Sequence, residues 1–245
     1  MKIMKWMTCC LIMITVIGCN SAVDNKSPGE LLSLSVSGLS GVDRYAFTGD
    51  TGIGLTGLSP IKAMTFQGTV ENHNNVKVKA NNPDSLGGSI HPLDYLRQVE
   101  NNAQTTELVP SESGNRTAVL RITSNEAKAK ATWVQTLRDE FSVLEKKVPA
   151  ASASKNTMQR KQASGAEGSL EREWNEELSR SKAQLEAMLS TLRVQSSCRM
   201  VIDRKKLLPL QLEEKTTLQY KAEGQDRKES RVTKIVFTRL GGGQL

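Results

Sequence analysis

Four cysteines and two histidines are the side chains in this sequence best suited to nucleophilic or metal chemistry, and their spacing decides what each can do. Cys19 follows a leader in which Lys2 and Lys5 precede the apolar run Trp6 to Ile17 and the small residue Gly18. Positive residues, a short apolar stretch and a small residue before the cut form a secretory signal over residues 1–18. The run falls short of the roughly 20 apolar residues that span a bilayer, and the polar stretch from Asn20 follows at once. Cleavage is expected before Cys19. Cys9 and Cys10 leave with the leader. Cys198 becomes the only other cysteine of the mature chain. It lies among alternating residues, where a buried, unreactive thiol is expected because no neighbouring sequence feature would lower its pKa. His73 sits in a run of asparagines and His91 precedes Pro92, positions of turn and capping residues. No HExxH, GxSxG, P-loop or paired-cysteine motif is present, and the expectation is a non-enzymatic protein with no metal and no cofactor.

Val16-Ile17-Gly18-Cys19 resembles the lipobox of bacterial lipoproteins, with Val where Leu is usual. The resemblance implies a diacylglyceryl, palmitate-bearing Cys19 that anchors the chain to the extracytoplasmic face of the cell membrane, and with that thiol taken up no intrachain disulfide to Cys198 is expected. One acyl chain holds only marginally, at about 0.8 kcal/mol per buried methylene, whereas two anchor stably. Removing the leader takes away Lys2 and Lys5, so the formal charge falls from +7 to +5 by subtraction. Export makes nucleic acid an improbable partner for this basic balance and makes anionic headgroups a natural one.

These groups need a scaffold. Residues 19–32 read as a flexible tether, and a single domain is expected over residues 33–240, ahead of a loose tail at 241–245. Tyr45 to Thr48, Met64 to Val70 and Val76 to Lys79 alternate as half-buried strands, with Thr51 to Pro60 and Asn72 to Asn75 as turns. Phe47-Thr48-Gly49 and Phe66-Gln67-Gly68 echo one another, which predicts adjacent strands with bends or bulges. His91 to Val99 carries apolar residues at helical spacing after a Ser89 cap, and Glu107 to Val109 and Ala118 to Thr123 return to strands. A long helical pair is expected over residues 125–193: one helix runs from Ser124 or Asn125 to about Lys147, the other opens near Ser169, and a polar, mobile linker joins them at 149–168. At 1.5 Å per residue each helix would reach roughly 35 Å. Strands resume at Val194 to Ile202, Leu208 to Leu212, Leu218 to Tyr220 and Val232 to Phe237, with a tight turn at Lys205-Lys206. The count, about eight strands in two groups, predicts an α+β fold: a large antiparallel sheet with helices on one face.

Ser40 to Gly49, Thr65 to Val70, Pro92 to Leu96 and especially Met200 to Leu212, followed by Thr216 to Tyr220, resemble the LolA-like lipoprotein-carrier superfamily. The resemblance covers roughly Ser33 to Leu240, and the chain departs from the family in its long helical pair. It implies a curved sheet forming an incomplete barrel, whose concavity holds an apolar or lipid ligand. Phe47, Phe66, Leu120, Met200, Ile202 and Leu210 are the lining residues it suggests. An envelope protein partner on the same sheet is a further expectation. The alternative is a scaffold without ligand, presenting the helices at 125–193 in an envelope complex of the sporulation or germination type. A domain fixed at Cys19 suits a stationary receptor or scaffold better than a shuttle.

Overall fold

The computed structural model describes residues 26–55, 61–73, 75–81, 91–146 and 164–239. Cys19 and Ser89, most of the linker at 149–168 and the tail at 241–245 lie outside the described residues. The described chain is α+β, with four α-helices and one open, antiparallel, eight-stranded sheet. The strands are β1 (Tyr45–Leu55), β2 (Ile61–Glu71), β3 (Asn75–Ala80), β4 (Ala103–Leu108), β5 (Thr117–Ser124), β6 (Arg193–Asp203), β7 (Leu208–Ala222) and β8 (Gln225–Arg239). Their order is β3-β2-β1-β8-β7-β6-β5-β4, so the C-terminal strands fill the centre and β3 and β4 are the edges.

Strict alternation on β6 makes one face of the sheet apolar: Val194, Ser196, Cys198, Met200 and Ile202 are buried, and their odd-numbered neighbours are more exposed. Residues opposite one another in an antiparallel pair share a face. The register therefore extends this face as a row across Leu120, Met200, Leu212, Ile235, Gly49 and Phe66. Helices α1 (Pro28–Ser40) and α2 (Pro92–Asn102) pack on that row through Leu31, Leu32, Val36, Leu39, Leu93, Leu96 and Val99, forming the main core. Helices α3 (Glu126–Lys146) and α4 (Ser164–Thr191) form a smaller cluster, Ala129, Leu189, Leu192 and Val194, at the other end of β6. Both helix pairs cover the same face. The opposite face carries residues such as Thr48, Gln67, Arg121, Gln195 and Lys215, all exposed.

Several expectations change. Residues 28–32 are not tether but the start of α1, and 33–40 complete it. Ser27 caps this helix, with Glu30 closing a capping box and Pro28 in the first turn. Thr51 to Leu55 continue β1 past a bulge at Thr51/Gly52 rather than turning. The strand near Glu107 starts at Ala103, directly after α2. Leu208–Ala222 is one strand, because Leu212 to Leu218 stay paired to β6 and β8 throughout. Residues 164–168 belong to α4 rather than to the linker. The turn after Asp203 holds as expected: its Oδ1 accepts the amides of Lys205 and Lys206 at 2.9 and 2.8 Å.

Candidate functional site

All six residues suggested as cavity lining meet at the main core, five of them buried in it. Phe47, Leu120, Met200 and Ile202 are fully buried and Phe66 nearly so, sealed by α1 and α2. Leu210 is the extra residue of a bulge, skipped where Val201 faces Gln211 and Ile202 faces Pro209, and it packs half-buried against the same core. Phe66 also borders a depression of about 620 Å³ that reaches Thr48, Gln67, Lys79, Asn81 and Lys234 on the opposite face.

Between the two apolar clusters the covered face changes character. The row next to Met200 runs Cys198, Glu214, Thr233, Thr51, and the row after that runs Ser196, Thr216, Arg231, Ile53. Polar side chains thus stand at inward positions of four neighbouring strands. Burying them requires partners. Glu214 accepts hydrogen bonds from the Tyr95 hydroxyl on α2 and from the Ser196 hydroxyl on β6. A serine hydroxyl has one proton, so Thr216 donates to Ser196 across 3.0 Å. Thr51 and Thr233 join their hydroxyls at 2.6 Å. Arg231 Nε donates to Thr51 Oγ1 at 3.4 Å, and the guanidinium lies 5.6 Å from the ring centre of Trp133 on α3. The band therefore ties α2 to the sheet through Tyr95 and α3 to it through Trp133.

Burial, followed by the negative charge of Glu214, raises the Tyr95 phenol well above the ordinary tyrosine value. The same two causes raise Cys198, so this buried thiol stays protonated and unreactive near neutrality. Tyr220, at the far end of β7, donates to Glu229 at 2.5 Å and is pushed up to about 12, by burial first and that bond second. Among the described residues, no three His, Cys, Asp or Glu side chains gather in a way that would hold a metal ion.

No family model matches this chain, and no curated protein matches it. The band is thus read from its own chemistry. Glu214 and Glu229 are engaged by hydroxyls. Arg231 is half-buried and makes one side-chain hydrogen bond, with no carboxylate at ion-pair distance among the described residues. Beside it Ile53 is 48% exposed. The arrangement can bind: it offers donors without a partner among the described residues, next to open apolar surface.

Sequence reasoning passed over Tyr95, Glu214, Arg231 and Trp133 as site residues. A signal was present, since continuing the inward alternation of Leu210 or Leu212 along β7 lands on Glu214 and Thr216. Polar residues at those positions mark an interior that is not wholly apolar. Trp133 gave no such signal, because its contact with Arg231 joins α3 to β8 and is not local in the sequence.

Proposed function

We propose that this chain is a non-enzymatic, LolA-like lipoprotein, tethered by a diacylated Cys19 to the extracytoplasmic face of the membrane. It binds an apolar or lipid ligand at the seam between its two helix pairs. The open antiparallel sheet with all four helices on one face supports the architecture. The observation that carries the binding reading is the polar band itself, which ends at a half-buried arginine and a half-exposed isoleucine. The filled core around Phe47 and Met200 leaves the seam as the better place for a ligand. Among the described residues no helix is long and apolar enough to cross a membrane, and the anchor of this reading is the acyl group alone. Two measurements test it. Growth with labelled palmitate should label the protein but not its Cys19→Ala variant. Mass spectrometry of protein purified from native membranes should find a co-purifying lipid, and a protein free of any bound apolar molecule would reject the binding role.

A second reading, a scaffold that engages an envelope protein through α3 and α4, has its own support. Arg138 bridges Glu186 at 2.6 Å and Lys182 bridges Glu145 at 2.8 Å, fixing the two helices side by side. Val143 and Leu144 on the same helix pair remain about half exposed. Crosslinking in intact cells should capture a neighbouring envelope protein, and replacing both residues by Asp should abolish that capture.

A further inference from the structure

Arg231 is the member of the polar band whose needs the described residues leave unmet. A guanidinium presents five N–H donors, and leaving a partly desolvated charge unpaired is unfavourable. The two acids nearest on its face do not answer it. Glu214, one row away, is held by Tyr95 and Ser196, and Glu229, two residues along β8, is held by Tyr220. Trp133 takes the flat face of the guanidinium and Thr51 takes Nε, which fixes the group and leaves its terminal nitrogens without a partner among the described residues. Such a fork matches the paired oxygens of a carboxylate or phosphate. Directly across the strand pair stands Ile53, with Gly52 and Gly54 on either side of it. The cation thus borders open apolar surface.

Resting on the binding role given above, we propose that Arg231, Thr51 and Trp133 seat the anionic oxygen head, carboxylate or phosphate, of an amphiphile whose chain lies over Ile53. Thr51 positions the guanidinium, Trp133 backs it, and Ile53 meets the first methylenes of the chain. A free oxyanion would use the same fork but not Ile53.

The full-length protein in its native membrane is the material for the test. It is irradiated with a long-chain fatty acid carrying a photoreactive diazirine, and in parallel with the matching fatty alcohol. The acid is expected to label the peptide containing Ile53 at least tenfold more than the alcohol, in line with a charge-assisted bond. Arg231→Gln should lower acid labelling by roughly tenfold, Arg231→Lys by less, and the surface change Ile53→Ser should weaken acid labelling while leaving the fold intact. Equal labelling by acid and alcohol that Arg231→Gln leaves unchanged would overturn the head seat while sparing the ligand-binding role. Displacement of the acid probe by millimolar inorganic phosphate, with Ile53→Ser labelled like the parent, would overturn the amphiphile in favour of a free oxyanion. No labelling by either probe, together with no co-purifying lipid, would remove both the seat and the binding role.

Discussion

The ring of Phe66 lies over Gly49, its partner across β1 and β2, so closely that a β-carbon on Gly49 would fall 2.4 Å from Phe66 Cζ. The neighbouring pair repeats the arrangement: Phe47 faces Gly68, where a β-carbon would meet Phe47 Cζ at 2.5 Å. Two antiparallel Phe-x-Gly segments are complementary to each other, each ring covering the other's glycine. The rings also meet each other, 6.3 Å apart and tilted by 56°. An aromatic side chain laid over a cross-strand glycine restores the apolar cover that the glycine lacks.

Gly49→Ala and Gly68→Ala are therefore each expected to destabilise the fold by about 1–3 kcal/mol, the usual cost of forcing volume into a packed core. Backbone carbonyls close both sites as well, Lys234 O lying 2.4 Å from the β-carbon position at Gly49 and Lys77 O 2.5 Å from that at Gly68. Trimming the ring cannot relieve them. Urea unfolding of Gly49→Ala combined with Phe66→Leu should accordingly recover only part of the loss, and full recovery would show that the ring alone sets the constraint.

Tyr45 is buried against Phe237, and its hydroxyl has no hydrogen-bond partner among the described residues. An unsatisfied buried hydroxyl is unfavourable, so Tyr45→Phe is expected to stabilise the protein by about 1 kcal/mol. Burial, then the charge of Asp94, pushes the phenol up to about 12 from its ordinary value of 10. A folded pKa above the unfolded one means that the folded state holds the proton more tightly. Its contribution is complete below about pH 10 and is lost as pH rises from 10 through 12. Denaturant melts between pH 9 and 12 should show Tyr45→Phe losing less stability with rising pH than the parent, and parallel slopes would refute the assignment.

Tyr95 presents the opposite case, a buried hydroxyl that is used. Tyr95→Phe takes one of two donors from Glu214 and leaves the carboxylate with Ser196, at an expected cost of about 1–3 kcal/mol. Ser196→Ala removes the other donor and also strands the Thr216 proton. The two changes act on one carboxylate and should not add. A double-mutant cycle read by thermal unfolding should give a coupling of 0.5 kcal/mol or more, and strict additivity would mean that the two bonds do not share a network.

How far the sequence speaks depends on whether a residue's role is local. Alternation exposed the strands, and the three- and four-residue spacing exposed α2 and the α3–α4 pair, because those patterns follow from each element's own period. The Phe-x-Gly echo correctly marked β1 and β2 as neighbours. A bulge does interrupt this strand pair, at Thr51/Gly52, but the fit of Phe66 to Gly49 is a relation between strands that the echo alone does not show. The alternation of β7 marks Glu214 and Thr216 as inward polar residues, but their assembly into one band was not legible, for the same reason. Tyr95, Glu214, Ser196 and Arg231 are far apart in the chain, and only the register of β6, β7, β8 and β1 brings their rows together. A Ser- and Gly-rich composition hid α1, although Leu31, Leu32, Ser35, Val36 and Leu39 form one helical stripe, all buried.

That helix yields the last prediction, because its start is defined by a few atoms. Ser27 Oγ accepts the Glu30 amide at 3.3 Å, and the Glu30 carboxylate accepts the Ser27 amide at 2.7 Å, so the box satisfies two amides that would otherwise have no partner. Ser27→Ala is expected to cost about 1 kcal/mol, as losses of N-cap side chains do. The loss should spread beyond α1, since Leu31 and Leu39 belong to the core that holds Phe47 and Met200. The Ser27 amide and hydroxyl hold the Glu30 carboxyl below the usual carboxylate range. A lowered folded pKa gives a contribution that is present above the unfolded value of about 4.5 and is lost as pH falls through the folded one. Hydrogen exchange on the α1 amides should therefore speed up below about pH 4.5, after correction for intrinsic rates, and Glu30→Gln should remove that acid dependence. An α1 whose protection ignores both Ser27 and pH would show that packing alone holds the helix.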